Sequence, residues 1–376
     1  LVILVYMRIK IQQFLFGKNH SWSIVGQNLG RAMIKLGHDV EFVSTDGFDD
    51  KYCPADLKPF VRSQPTGSYD CQVSYTAPHN WGPYLAYGNK NKFGIWNYEY
   101  NSKADASKLL LQGFGKNYKH TTKVLPSSHF TKQVFINMGI PAEEQVVVPH
   151  GINLEDFEST NKAELKTSAS KKILLNIAQP HRRKNLAAAL ESYGKAFKKS
   201  DDVCLIAKVF TANKQKMGFD VDFLKMLKTF KSKYKNHAEI EVMTSYVPNI
   251  ADLYNACDIN FSATHAECWH LPSLEALAAG LVNVVPNYGG QLEFCNSENG
   301  LLIEGREVRA PRDHQYWKFN PQAVHFKVDT DHAAQLLQQA VSNTDELKAK
   351  FGPEMKKTVQ HFTWENAAKQ ILDLCE

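Results

Sequence analysis

Ser262-Ala-Thr-His-Ala-Glu-Cys-Trp-His-Leu-Pro-Ser-Leu-Glu-Ala-Leu-Ala-Ala-Gly280 is the most informative run in the chain. It follows Asp258 to Phe261, which reads as a strand. From Pro272 onward it is strongly helix-forming, with proline at the first turn, where a missing N–H is least costly. Strand, loop and helix N-terminus in succession make a place for an anion, because free amides and the helix dipole act together there. Two carboxylates sit in this unit eight residues apart: Glu267 in the loop and Glu275, expected in the first helical turn. A glutamate in a first turn also stabilises a helix with no ligand involved, so spacing alone leaves both readings open.

Outward from this stretch the second half alternates strand-like and helical runs. Ile173 to Ala178, Val203 to Val209, Ile240 to Met243, Ile259 to Ser262 and Val282 to Val285 read as strands. Leu186 to Phe197 and the Lys-rich Phe223 to Tyr234 read as helices between them. The end, Thr344 to Leu374, reads as helical with a break at Gly352-Pro353. The first half repeats the pattern without repeating the sequence. Ile9 to Phe16, Asp39 to Ser44, Gln72 to Thr76, Phe93 to Trp96, Val124 to Pro126 and Val146 to Val148 are strand-like. Ser23 to Leu36 has helical spacing, with Ser23 as a candidate cap and Gly37 as its stop. Such alternation predicts βαβ units and parallel sheets.

Between the halves, Glu158 to Lys172 is dominated by polar residues and reads as a linker. The expected organisation is therefore an N-terminal Rossmann-like domain, 1–157, a linker, 158–172, and a C-terminal Rossmann-like domain, 173–345. A helical segment, 346–376, comes last, with the option of crossing back to the first domain. Two α/β domains joined by one linker suggest a cleft between them, with ligands at the carboxyl ends of the strands.

Composition fits a globular α/β protein: 376 residues, 43% apolar and 22% charged. The net charge of +5 is too small to indicate nucleic acid. Seven scattered cysteines without a Cys-x-x-Cys pair argue against a disulfide framework or a zinc site and suit a reducing cytoplasm. The opening Leu1 to Tyr6 is too short to span a bilayer, which takes about 20 residues. It has no signal-peptide flanks, and Met7 reads as a candidate start. No Asp-x-Asp stands after a strand to hold a metal. Asp49-Asp50, Asp201-Asp202 and Asp220-Val-Asp222 read as solvated loop acids.

The Glu267 to Glu275 stretch resembles the E-x7-E motif of glycosyltransferase family 4, the retaining GT-B enzymes of "glycosyl transferases group 1". Ala251-Asp-Leu-Tyr-Asn-Ala-Cys-Asp258 is similar to that family's lead-in to the motif. Gly289-Gly-Gln-Leu-Glu293 and Asn299-Gly-Leu-Leu-Ile303 are similar to the family's segments downstream of it. Gly37-His-Asp-Val40, Ser127-Ser-His-Phe-Thr-Lys132, Val147-Val-Pro-His-Gly-Ile152 and Phe362-Thr-Trp364 fall in the family's order along most of the chain.

The resemblance implies a GT-B fold and a hexose moved from a nucleoside diphosphate sugar to an acceptor hydroxyl on a glycan, lipid-linked sugar or protein. It implies no cofactor and no metal. Glu275 would hold the ribose hydroxyls, with Leu271, Pro272 and Ser273 beside the nucleotide. Glu267 would lie near the reacting carbon, where a carboxylate stabilises oxocarbenium charge. His181-Arg-Arg-Lys-Asn185 would bring Arg183 and Lys184 to the diphosphate, although a basic turn is also ordinary solvated surface. The family's Arg just after the preceding strand is missing from Ile177-Ala-Gln-Pro180, so Arg183 or Arg182 is expected to substitute. Lys208 is a second candidate cation. Cys268 and His270 stand where the family has glycines.

On the acceptor side the candidates are Gly17, Asn97, Glu99 and His150, with His20 and Trp22 in a loop that the family keeps Gly-rich, where Gly17 and Gly26 remain. Peripheral membrane contact is an open expectation, since many family members use lipid-linked acceptors. A non-catalytic GT-B scaffold binding a nucleotide or a protein is the alternative, supported by the missing Arg and the altered loop after Glu267.

Overall fold

The computed structural model describes residues 6–13, 21–44, 53–86, 90–102, 115–168, 170–209, 221–311 and 322–375. They divide into two compact units. The first comprises described residues up to Ile152, residues 322–323 and the stretch from Phe362; the second comprises Asn153 to 311 and Val324–His361.

The first unit has strands β1 (Arg8–Gln13), β2 (Asp39–Ser44), β3 (Val61–Arg62), β4 (Cys71–Tyr75), β5 (Lys92–Ile95), β6 (Asn101–Ser102) and β7 (Lys123–Val124). Six of them form a parallel sheet in the order β3-β2-β1-β4-β5-β7, β6 standing outside it. The helix Ser21–Lys35 packs on β1 and β2. It starts two residues before Ser23, so Ser23 is not its cap; its hydroxyl instead accepts from the Gln27 amide at 2.7 Å. Gly26 lies inside this helix rather than in a loop. A Cβ there would overlap Gln13 Oε1, so the glycine lets helix and strand close up. Gly37 ends the helix with φ +92°, as its position predicted. Gly17 and His20 lie outside the described residues.

Val146 to Val148 does not form a strand. The run only touches β7 and the residues after it, through Val146 N to Val124 O and Val148 N to Pro126 O, both 3.0 Å. Its neighbour β7 is two residues long, too short to carry a ladder. Chain from beyond residue 361 completes this unit. Ile152 N donates to Phe362 O at 3.0 Å, and Thr363 caps the helix Trp364–Leu372, which packs on Ser21–Lys35.

The second unit has β8 (Lys172–Ala178), β9 (Val203–Val209), β10 (Glu239–Met243), β11 (Ile259–Phe261), β12 (Val282–Pro286) and β13 (Gly300–Ile303) in a parallel sheet ordered β10-β9-β8-β11-β12-β13. β14 (Gly305–Arg309) and β15 (Ala323–Val328) pair antiparallel. β8 and β9 are near-continuous apolar runs because both sheet faces are covered. Ile173, Leu175, Cys204, Ile206, Leu253, Tyr254 and Ala276 form its core. The polar stretch expected as a linker belongs to this unit. Ala163 N donates to Asp252 O at 2.7 Å, Lys166 and Thr167 amides donate to Glu241, and Asn255 reaches Ser159 O. Backbone hydrogen bonding, to which polar side chains are no obstacle, holds it against the unit.

The expected break at Gly352-Pro353 is absent: one helix runs Thr344–His361 with Pro353 inside it. Leu347, Phe351, Met355 and Val359 are buried at four-residue spacing, and that packing outweighs the local proline penalty of about 3 kcal/mol. Asp222, read as a solvated acid, caps the helix Phe223–Lys233 by accepting from Lys225 N at 3.1 Å. No helix among the described residues is long and apolar enough to cross a membrane.

Candidate active site

The order in which strands are added to each parallel sheet reverses beside its first strand, and in the second unit that point lies between β8 and β11. Loops leaving adjacent strands there diverge and open a crevice, the usual ligand position in such sheets. The loop after β8 carries Arg183 and Lys184; the loop after β11 carries Glu267.

These residues meet. Lys184 Nζ lies 2.7 Å from Glu267 Oε1, and an Arg183 guanidinium nitrogen 2.8 Å from Oε2 and 2.8 Å from Ala266 O. Thr264 Oγ1 shares its one proton between Glu267 Oε1 at 2.9 Å and Arg183 O at 3.0 Å. His265 N also donates to Arg183 O, and Asn185 Nδ2 to Ala263 O, so the two loops are stitched together. Glu267 is only 5% exposed. Burial opposes its charge, but Arg183 and Lys184, with the Lys184 hydrogen bond, outweigh it and hold the carboxyl well below the usual range. Two cations on one carboxylate leave a net positive charge for a ligand anion. Arg182 is exposed, and Lys208 is held by Ser245 O at 2.6 Å.

Behind the Glu267 loop runs Gly289-Gly290. A Cβ on Gly290 would overlap the Cys268 carbonyl, and Gly290 N donates to Glu267 O at 2.7 Å. The close approach of these two backbones fixes where the Glu267 loop lies.

The helix after the loop spans Leu271–Ala278, so Glu275 is its fifth residue and lies past the first turn, contrary to expectation. The dipole of the helix head therefore bears on it weakly. Desolvation raises its carboxyl pKa, countered by the hydroxyl of Tyr254, which donates to Oε2 at 2.7 Å. Among the described residues Oε1 receives no protein donor, and Glu275 is partly exposed, which leaves that oxygen for a ligand. Leu271 and Pro272 are half-buried at the helix head, while Ser273 is fully buried. Ser273 Oγ lies 2.6 Å from His270 Nδ1 and 3.4 Å from Asn260 Nδ2. Asn260 Nδ2 donates to Asn283 Oδ1 at 2.6 Å, and Asn283 Nδ2 to Ser273 O at 2.9 Å. Sequence reasoning missed this polar bracket beneath the helix. Its signal was an asparagine inside each of two buried strands, Ile259-Asn-Phe261 and Val282-Asn-Val-Val285.

The first unit holds its own group of candidates. Asn97 Nδ2 donates to Tyr75 OH at 2.7 Å; Trp22 stacks on Tyr75 at 5.3 Å. His150 meets Tyr75 edge-on at 6.2 Å and Trp364 at 5.8 Å. Burial pulls the His150 imidazole down to about 3, so it is neutral at pH 7. Glu99 is half-buried nearby in sequence. Tyr75, at the carboxyl end of β4, is the hub of this group. A second missed feature is Lys10, buried in β1, with its ammonium on Tyr84 O; desolvation lowers it to about 8 against the pull of Glu41.

The two sheets, each ordered 3-2-1-4-5-6 in chain sequence, define a GT-B fold. Residues 157–313 match the family described as Glycosyl transferases group 1. HepE of Anabaena, solved with UDP and glucose, superposes with a TM-score of 0.67 at 13% identity, covering 98% of this chain and 99% of that one. Sucrose-phosphate synthase of Thermosynechococcus elongatus gives 0.66 at 14% identity, covering 98% of each chain. A probable sucrose-phosphate synthase of Thermosipho melanesiensis is 22% identical over 98% of this chain and 79% of its own length. These matches support a glycosyltransferase.

Proposed function

We propose that this chain moves a hexose from a uridine diphosphate sugar to a saccharide hydroxyl, with the anomeric configuration retained and no metal ion required. The observation behind this reading is the Glu267 carboxylate held by Lys184 and Arg183 at the switch point between β8 and β11. Arg183 and Lys184 neutralise the leaving diphosphate, the work a divalent cation does elsewhere. Glu275 Oε1 accepts from the ribose diol, while Tyr254 holds its other oxygen. Glu267 orients both cations and stabilises positive charge developing on the donor sugar. Leu271 and Pro272 flank the nucleotide. Asn97, Glu99 and His150 stand as acceptor-side contacts, with the half-buried Trp22 offering a flat face to a sugar ring.

Uridine is chosen because HepE is solved with UDP and UDP-glucose. The likenesses to sucrose-phosphate synthases favour a small sugar or sugar phosphate as acceptor. The test is thermal stability with UDP, GDP and ADP, each with and without EDTA. At about 100 times its Kd a ligand adds about 2.7 kcal/mol. A shift with UDP alone, unchanged by EDTA and accompanied by turnover of UDP-glucose, supports the proposal. A UDP shift without turnover on any sugar acceptor would replace it with the nucleotide-binding scaffold. Loss of activity on chelation would overturn the metal-free step.

A further inference from the structure

His270 is buried at 6% exposure and adopts φ +73°, ψ 67°, a left-handed conformation that costs a residue with a Cβ. It stands immediately before the helix Leu271–Ala278, and strain of this kind concentrates at sites of function. Ser273 Oγ, 2.6 Å from His270 Nδ1, is a hydroxyl and so partners that nitrogen whether or not it carries a proton. The charged groups that bear on the ring are Glu267 in its own loop and Lys184 and Arg183 in the loop after β8.

We propose that His270 answers the charge of a bound diphosphate: its imidazole takes up a proton from solvent when the diphosphate of the donor settles at the helix head, and returns it on release. This rests on the donor-site reading above. On its own surroundings the ring is neutral, held down to about 4 by burial; Glu267 pulls upward, Lys184 and Arg183 push down. An arriving diphosphate offsets the field of those two cations and adds negative charge of its own, so the balance tips toward imidazolium. Ser273 accommodates the change, because a hydroxyl donates to a bare Nδ1 and accepts from Nδ1–H. The ring thereby supplies a third positive charge that is present only while the leaving group is there.

The test is calorimetric titration of the full chain with UDP at pH 6.5 in two buffers of different protonation enthalpy, repeated with His270→Gly and His270→Asn. Both substitutions suit a left-handed backbone, so both keep the loop. The wild type is expected to take up more protons per UDP than either variant, by a fraction approaching one. Its Kd should tighten relative to theirs by up to about tenfold per pH unit lowered. The nucleotide's own ionisation is common to all three and cancels. Equal proton uptake in the three proteins, with UDP bound by each, overturns the proposal while leaving the donor site standing. If UDP binds to none, the donor reading itself fails and the role of His270 falls with it.

Discussion

Lys184 and Glu267 are 83 residues apart in the chain and their charged atoms are 2.7 Å apart in the fold. Two loops that share only a sheet reversal meet at this pair. Because both partners are largely buried, breaking the pair leaves a charge uncompensated. Glu267→Gln puts Arg183 and Lys184 together with no counter-ion. The expected loss is about 3 kcal/mol, within the range for a broken buried pair, read as a lower urea midpoint. Turnover of the nucleotide sugar should fall at least about 100-fold. An unchanged midpoint would mean that the pair is screened by solvent.

Gly290 and Gly352 should respond in opposite ways to alanine. At Gly290 the new Cβ overlaps the Cys268 carbonyl, and backbone must move. At Gly352, inside a helix, it meets nothing within 4 Å. Gly352→Ala is expected to stabilise by about 1 kcal/mol. Gly290→Ala should cost several times that and displace the Glu267 loop. Denaturant titrations of the two variants side by side decide this; similar midpoints would refute the packing argument.

Tyr254→Phe tests Glu275. The binding form is the carboxylate, whose pKa lies above the ordinary range, and the tyrosine hydroxyl works to lower it. Without that hydroxyl the pKa rises further, so UDP affinity should be lost at a higher pH than in the wild type as pH falls. Kd measured from pH 8 to pH 5 shows the displacement. Superimposable profiles would remove Glu275 from the binding site.

Buried imidazoles weaken the fold in acid. His270 and His150 are held down to about 4 and about 3 in the fold, against about 6.5 when unfolded. Below pH 6.5 the unfolded chain binds protons that the folded chain refuses, so stability falls as pH falls toward 4. His150→Asn should flatten part of that slope between pH 6.5 and 4.5, read as Tm against pH. A slope identical to the wild type would mean that His150 is solvated.

Much of this was legible because local signals and tertiary needs agree. β2 and β9 fall where alternation and continuous apolar runs placed them, and the loops after β8 and β11 bring together Arg183, Lys184 and Glu267. What was not legible depends on partners distant in sequence. Pro353 reads as a break until the buried stripe from Leu347 to Val359 is known. Glu275 reads as a first-turn acid until the helix start at Leu271 is seen. The Tyr254 hydroxyl, 21 residues upstream, leaves no local mark on it. The Glu158 to Lys172 stretch reads as a linker because its bonds to Asp252 and Glu241 are made by backbone, which composition does not report.

The closure of the first unit by Ile152 on Phe362, and by the helix Trp364–Leu372 on Ser21–Lys35, sets an order of events during synthesis. The sheet β3-β2-β1-β4-β5-β7 leaves the ribosome early, but its helix Ser21–Lys35 waits more than 200 residues for the helix that packs on it. Most of the second unit, by contrast, is contiguous and completes in passing. The amino-terminal half therefore travels part-covered, exposing apolar surface of the kind that chaperones recognise, and ribosomes stalled before Phe362 should release a nascent chain whose later half is protease-resistant and whose earlier half is not.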